Sequence, residues 1–380
     1  MGRRSGLLAA DGRPDPTAPH AAGTDGQRSG PSAAQTAAGG RELVREENEM
    51  KGRVTIVGLG CVGTSIGLAL REQVADLEVV GHDLEPDHAR RAARMGAVSK
   101  TDWNLPAACE GASLVILALP LPAVRETLEV LGPHLEEGCV VTDTALLKTP
   151  VLEWARQYLP GGVRFVTGAP FPGPSVGERD ALTGPEAARA DLFEGGLYCV
   201  TPARDTDPEA VTVLLGLIEA LGARPLFMEP MEFDGLQAGI GDLPTLIAMA
   251  LLRSTVDSPG WMEMRKVAGI GFAAATEPAT GDPAALRAAA ILNRENLLRR
   301  LDMFLEELLR LRQWLVDSDG EALQEAYADA AAGRTRWLEE RASGTWEESP
   351  GLGEIPGVGE QFERLLFGGL LRRRPRTKEE

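Results

Sequence analysis

Apolar residues follow two rhythms along the chain, and each predicts a different architecture. Up to about residue 228, short β-branched and aliphatic runs alternate with stretches in which apolar positions recur every three or four residues. Such runs suit strands buried on both faces, and the 3.6-residue spacing suits helices packed over them. Strands are predicted at Val54–Val57, Glu78–Asp83, Ser113–Leu119, Cys139–Asp143, Val163–Gly168, Leu197–Thr201 and Pro225–Met228. Helices are predicted from Cys61 onward and over Pro86–Met95, Leu121–Leu131, Pro150–Tyr158 and Pro208–Leu221, the last with Asp205 or Thr206 near its cap. The proline-rich Ala169–Pro174 forbids helix and predicts an extended loop, and residues 175–190 read as a surface insertion. Alternation of this kind means a Rossmann-type doubly wound sheet.

From Met231 the pattern is helical throughout. Asp234–Val256 is nearly all apolar and predicts one buried helix, Trp261–Ala275 a second, Pro283–Val316 a long third, and Ala322–Arg341 a last one. In the long helix Leu297, Leu298, Leu301, Phe304, Leu305, Leu308 and Leu309 share one side, a stripe that reads as core or dimer interface. The expected organisation is therefore a tail over 1–49, an α/β domain over 50–230, an all-helical C-terminal domain over 231–341, and a flexible tail over 342–380.

Length and charge narrow the function classes. At 380 residues the chain exceeds what one core usually serves. A formal charge of −17 disfavours nucleic acid or an anionic membrane as main partner and favours a small-molecule substrate. No uninterrupted apolar run has membrane-spanning length, so no span is expected. Cys61, Cys109, Cys139 and Cys199 lack metal-type spacing and read as reduced core thiols of a cytoplasmic protein without a metal site.

The two ends have a different composition. Residues 1–49 are too poor in apolar groups to offset their ordering entropy, are expected to be disordered, and do not form a signal peptide. Met50 stands just before the first strand, which raises the expectation that translation starts there. The segment Phe362–Arg376, an apolar patch beside five arginines, reads as a solvated or self-packing tail rather than a membrane-surface segment.

Candidate chemistry concentrates at the first strand, turn and helix. In Val54-Thr-Ile-Val-Gly-Leu-Gly-Cys-Val-Gly63, Gly58, Gly60 and Gly63 suit a tight turn, close approach to a pyrophosphate, and close helix packing. The helix from Cys61 and Val62 would aim free N–H groups at the phosphates. Asp83 lies where a ribose-binding carboxylate belongs, which selects NAD, while Arg90 and Arg91 keep NADP open. Leu119, beside Pro120 at a strand tip, is placed to cover the nicotinamide half, and Lys148 with Thr144 is placed to reach an anionic group.

The residues Gly58–Gly67, Thr142-Asp143 with Lys148, Gly168, Pro170 and Gly173, Asp191-Leu-Phe-Glu-Gly195, Tyr198, Thr201-Pro202, Leu243-Pro244 and Asn293–Phe304 together give this chain a likeness. Over roughly residues 53–340 it resembles the prephenate/arogenate dehydrogenase family of tyrosine biosynthesis. The resemblance implies NAD(P)-dependent oxidation of prephenate or arogenate with loss of carbon dioxide, and a homodimer made by the helical domain. The chain departs from the family at the chemistry. Ala169 stands where the family has a histidine that hydrogen-bonds the substrate hydroxyl, and Ala145 to Leu147 precede Lys148 where the family has a serine. Asp242 and Thr245 replace histidine-bearing positions, and Glu277 replaces the arginine that grips a carboxylate. A proton acceptor is worth ~10²–10⁴ in rate, so these changes matter. Ala169, Asp242 and Glu277 mark the expected substrate pocket. Three functions fit: a dehydrogenase of the family with a rebuilt site, a dehydrogenase or reductase for a different small molecule, whose cationic or amine-bearing group Glu277 or Asp242 could meet, or a catalytically silent NAD-binding dimer.

Overall fold

The computed structural model of the protein describes residues 52–177 and 182–344. The expectations for residues 1–49, for Met50 and for Phe362–Arg376 lie outside the described residues.

The strands are β1 (Arg53–Val57), β2 (Glu78–His82), β3 (Lys100–Thr101), β4 (Leu114–Leu117), β5 (Val140–Asp143), β6 (Arg164–Pro170), β7 (Leu197–Val200) and β8 (Arg224–Phe227). They form one sheet in the order β3-β2-β1-β4-β5-β6-β7-β8. The pairs from β3 through β6 are parallel; β7 runs antiparallel to β6, and β8 parallel to β7. Chain order reverses between β1 and β4, so the crevice outside their carboxyl ends is where a sheet of this type binds ligands.

Successive residues of each strand enter opposite cores, which is why the sequence runs are continuously apolar. Ile56, Leu114, Ile116 and Val140 pack on one face with helices α1 (Cys61–Gln73) and α6 (Pro208–Ala220). Val57, Val115, Leu117 and Val141 pack on the other with α4 (Leu121–Leu131) and α5 (Thr149–Tyr158). The remaining elements of this part are α2 (Pro86–Arg94) and α3 (Leu105–Cys109), the latter short and not foreseen.

The helical part comprises α7 (Pro230–Gln237), α8 (Leu243–Val256), α9 (Trp261–Val267), α10 (Ile270–Thr276), α11 (Pro283–Leu292), α12 (Arg294–Asp317) and α13 (Gly320–Ser343). A π-helical turn, Ala238–Asp242, joins α7 to α8. A Cβ at Gly241 would lie 1.8 Å from the Gln237 amide nitrogen, so the end of that side chain packs against the turn.

Several expectations are corrected. Ala169 and Pro170 belong to β6, paired with Cys199 and Tyr198, since the antiparallel arrival of β7 supplies backbone partners that no local pattern reveals. The stretch Asp234–Val256 is not a buried helix: Ala248 is the one buried residue of α8, and Met249 is 45% exposed. Pro230–Val256 is long and apolar enough to cross a membrane by length and composition alone, a measure that a core helix of a globular protein also meets. Trp261–Ala275 breaks at Ala268-Gly269 into two helices, and Pro283–Val316 breaks at Asn293. Asp207, not Asp205 or Thr206, caps α6 by accepting the Glu209 N–H. The described part of the 175–190 insertion rests on α1, where the Arg189 N–H donates to Ser65 Oγ at 3.0 Å. In the α12 stripe only Leu297 is buried, and Leu298, Leu305, Leu308 and Leu309 are exposed. All four cysteines are free and buried.

Candidate functional site

The loop between β1 and α1 is shaped by three glycines doing different things. Gly58 has φ +94°, and a Cβ there would sit 2.3 Å from the Ala118 carbonyl oxygen. Its N–H donates to His82 O at 2.8 Å, tying the turn to β2. Gly63 packs α1 onto the turn, with an added Cβ falling 1.9 Å from Gly58 O. Gly60 differs: nothing lies within 4 Å of its Cβ position, so open space stands before it.

That space faces the amino end of α1, which carries no side-chain cap and no acid in its first turn. The first-turn N–H groups of Cys61, Val62 and Gly63 have no intrahelical acceptors, and the helix dipole makes this end attractive to anions. Burial pushes the Cys61 thiol pKa up, with the Ser65 hydroxyl opposing, so the thiol is a neutral part of the wall. Thr64 holds the loop rigid, its Oγ1 donating to Leu59 O at 2.9 Å.

Asp83 follows the tip of β2. Its Oδ2 accepts the Leu59 N–H at 2.7 Å and its Oδ1 the Glu85 N–H at 2.8 Å, while His88 Nδ1 stands 3.6 Å from Oδ2. The carboxylate is thus fixed against the glycine turn. Leu119, at the tip of β4, is half-buried and closes over Gly58. Arg90 pairs with Asp87 on the exposed side of α2. An anionic, ribose-bearing ligand fits this assembly: room at Gly60, donors at α1, an acceptor at Asp83.

A second assembly lies under the tips of β5 and β6. Asp143 is fully buried and accepts from Lys148 Nζ at 3.0 Å, from Ala145 N–H at 2.8 Å, and from Thr167 Oγ1. Lys148 is itself fully buried, donates also to Gly168 O at 2.5 Å, and lies 5.7 Å from the Phe233 ring centre. Its side chain points inward, away from the position that sequence spacing suggested. Burial lowers its pKa and Asp143 opposes that fall. Thr144 stays half-buried between the tips of β4 and β5, with its N–H on Leu117 O.

The network continues into the helices. Asp234 of α7 accepts the backbone N–H of Lys148 at 2.6 Å and of Thr149 at 3.0 Å, capping α5 from outside. Asn293 Nδ2 donates to Asp234 O at 2.9 Å and to Asp242 Oδ2 at 3.0 Å. Burial raises the Asp242 pKa, the Asn293 bond opposes it, and the Asp234 charge adds to it.

Lys148 and Asp242 are therefore linked through Asp234 and Asn293, whereas Glu277 stands exposed after α10. Ala169 is fully buried in a small apolar cluster with Cys199 and Phe233. Asp143, Asp234 and Asn293 were not singled out as structural acceptors and donors by sequence reasoning. The available signal was an acid ending a wholly apolar strand, and another inside an apolar helix.

Comparison with known proteins agrees with this geometry. Residues 66–226 match "Prephenate dehydrogenase, nucleotide-binding domain" and residues 229–329 match "Prephenate dehydrogenase, dimerization domain". Prephenate dehydrogenase of Bacillus subtilis is 30% identical over 278 residues, 73% of each chain. Among solved structures, prephenate dehydrogenase from Aquifex aeolicus aligns with TM-score 0.65 at 25% identity, covering 74% of this chain and 99% of that one. Synechocystis arogenate dehydrogenase aligns with TM-score 0.60 at 26% identity, covering 75% and 99%.

Proposed function

The chain belongs to the prephenate dehydrogenase family, and we propose that it is an NAD-dependent dehydrogenase that oxidises and decarboxylates prephenate or arogenate. The observation that carries the reading is the open space before Gly60 at the uncapped end of α1, in a chain whose two parts match both domains of that family.

Bound NAD would supply the hydride acceptor. Gly60, Cys61, Val62 and Gly63 present N–H groups to the pyrophosphate, and Asp83 accepts from the ribose hydroxyls while its charge repels a 2′-phosphate. Leu119 and Thr144 border the nicotinamide end. Lys148 is a positioning residue: it neutralises Asp143 and pins the tips of β5 and β6. Ala169 is apolar and enclosed, so this position offers no side chain to accept the substrate hydroxyl proton.

A second reading is a dehydrogenase or reductase for a different, amine-bearing molecule. The carboxylates of Asp242 and Glu277 favour it, since they attract a cation and repel a dicarboxylate. Two further parts of the proposal are a homodimer and a cytoplasmic setting. Residues 229–329 and the exposed apolar faces of α8 and α12 support the dimer, which would cover the apolar stretch Pro230–Val256. The four free, buried thiols support a reducing compartment.

NADH formation from prephenate and from arogenate tests the reading. Turnover of either supports it; NAD binding without turnover of either moves the choice to the second reading or to a silent NAD-binding dimer. Absence of any dinucleotide binding removes all three.

A further inference from the structure

Two large apolar side chains stand almost fully in solvent at neighbouring strand tips: Leu84, 85% exposed, and Trp103, 87% exposed. Leu84 directly follows Asp83. Trp103 lies two residues past the end of β3, and the parallel register Val80↔Lys100, Gly81↔Thr101 places it opposite Asp83 when continued. Adjacent strands are ~4.8 Å apart, so the backbone leaving β3 toward Trp103 runs about one strand spacing from the backbone that carries Asp83.

The backbone here is held from both sides. The Asp102 N–H donates to Gly81 O at 3.0 Å, and His82 Nδ1 meets Asp102 O at 3.0 Å. Asp102 Oδ1 accepts the Asn104 N–H at 2.8 Å, and the Asn104 side chain caps α3 by accepting from Ala107 N–H at 3.0 Å. A tryptophan displayed on so constrained a turn is presented to solvent by the fold.

The direction of a bound dinucleotide follows from the topology, so this inference rests on the NAD reading. Its pyrophosphate sits at the turn after β1 and its adenosine ribose at Asp83 after β2. Continuing outward, the base attached to that ribose arrives at the tip of β3, while the nicotinamide half runs the other way toward β4 and β5.

We propose that Trp103, with Leu84 beside it, forms the platform on which the adenine ring of the dinucleotide stacks. Aromatic stacking accepts any base face and needs no hydrogen-bond partner, which suits a ring at the open edge of the site. This anchors the cofactor chiefly by its ADP half and leaves the nicotinamide end free of that contact.

The test is calorimetric binding of NAD, ADP-ribose and nicotinamide mononucleotide to the full chain, wild type, Trp103→Ala and Trp103→Phe. Trp103→Ala is expected to raise the ADP-ribose dissociation constant by about tenfold, as loss of one stacked base does. Trp103→Phe retains most of the affinity, and nicotinamide mononucleotide binds all three proteins alike. Because the side chain is exposed, thermal midpoints stay together. Unchanged ADP-ribose affinity in Trp103→Ala overturns the platform while leaving the NAD reading standing. Wild-type protein that binds neither NAD nor ADP-ribose overturns both.

Discussion

Asp234 accepts the backbone N–H of Lys148 at 2.6 Å, although 86 residues separate them. One carboxylate on the first helix of the C-terminal part thereby completes the amino end of α5 in the sheet part, and buried Asn293 binds the same residue's carbonyl.

Replacing that acceptor should cost stability. Asp234→Ala leaves the buried Lys148 N–H and the partly buried Thr149 N–H without this partner and is expected to destabilise the protein by about 1–3 kcal/mol, with Asp234→Asn in between. Urea unfolding midpoints at fixed protein concentration measure it.

The Asp143–Lys148 pair should behave as a buried ion pair. Lys148→Met abandons a charge in the interior and is expected to cost about 3–5 kcal/mol, whereas the double variant Asp143→Asn, Lys148→Met loses markedly less. A double-mutant cycle by denaturant unfolding decides; additivity of the two single losses would contradict the pairing.

The three glycines should separate in experiment. Gly58→Ala and Gly63→Ala meet backbone atoms at 2.3 and 1.9 Å and are expected to lower the melting temperature. Gly60→Ala meets nothing, so it should fold as wild type and yet weaken NAD binding, because the methyl fills the space the pyrophosphate needs.

Asp83 should set cofactor preference. Asp83→Asn removes a charge-assisted acceptor worth about 1.5–3 kcal/mol, so NAD affinity should fall by roughly tenfold or more while NADP affinity rises. Dissociation constants for the two cofactors read this directly, and a wild type that prefers NADP would contradict the assignment.

Asp242 predicts a pH dependence with a defined sign. Its folded-state pKa is raised, so the native protein holds this proton more tightly than the unfolded chain. Its ionised form therefore weakens the fold at neutral pH, and that cost vanishes as pH falls through the raised value toward the ordinary carboxylate pKa of about 4. Asp242→Asn is expected to be more stable than wild type at pH 7, with the difference closing near pH 4. Unfolding free energies across that range test it.

The nucleotide half of the site was legible because its signals are local. A turn that only glycine can make, an apolar run before it and a helical spacing after it lie within Val54–Leu70, and an acid ends the next strand. The break at Ala268-Gly269 is local, where the exposed Gly269 starts α10; the helix break at Asn293 was not legible, since helical spacing continues across it and its side chain is held by tertiary hydrogen bonds to Asp234 and Asp242. Ala169 looked like a loop residue for the same reason: its strand partner, Cys199, is 30 residues away.

The sequence by itself determined the class of fold and the family, because alternating strand and helix patterns and a glycine turn depend on near neighbours. Only the tertiary structure decided what Lys148 does. Spacing put it at a strand tip, with nothing to say which way four methylenes would turn. In the folded protein Asp143, Gly168 O and the Phe233 ring surround its ammonium, and a charge removed from water must go where partners are already fixed.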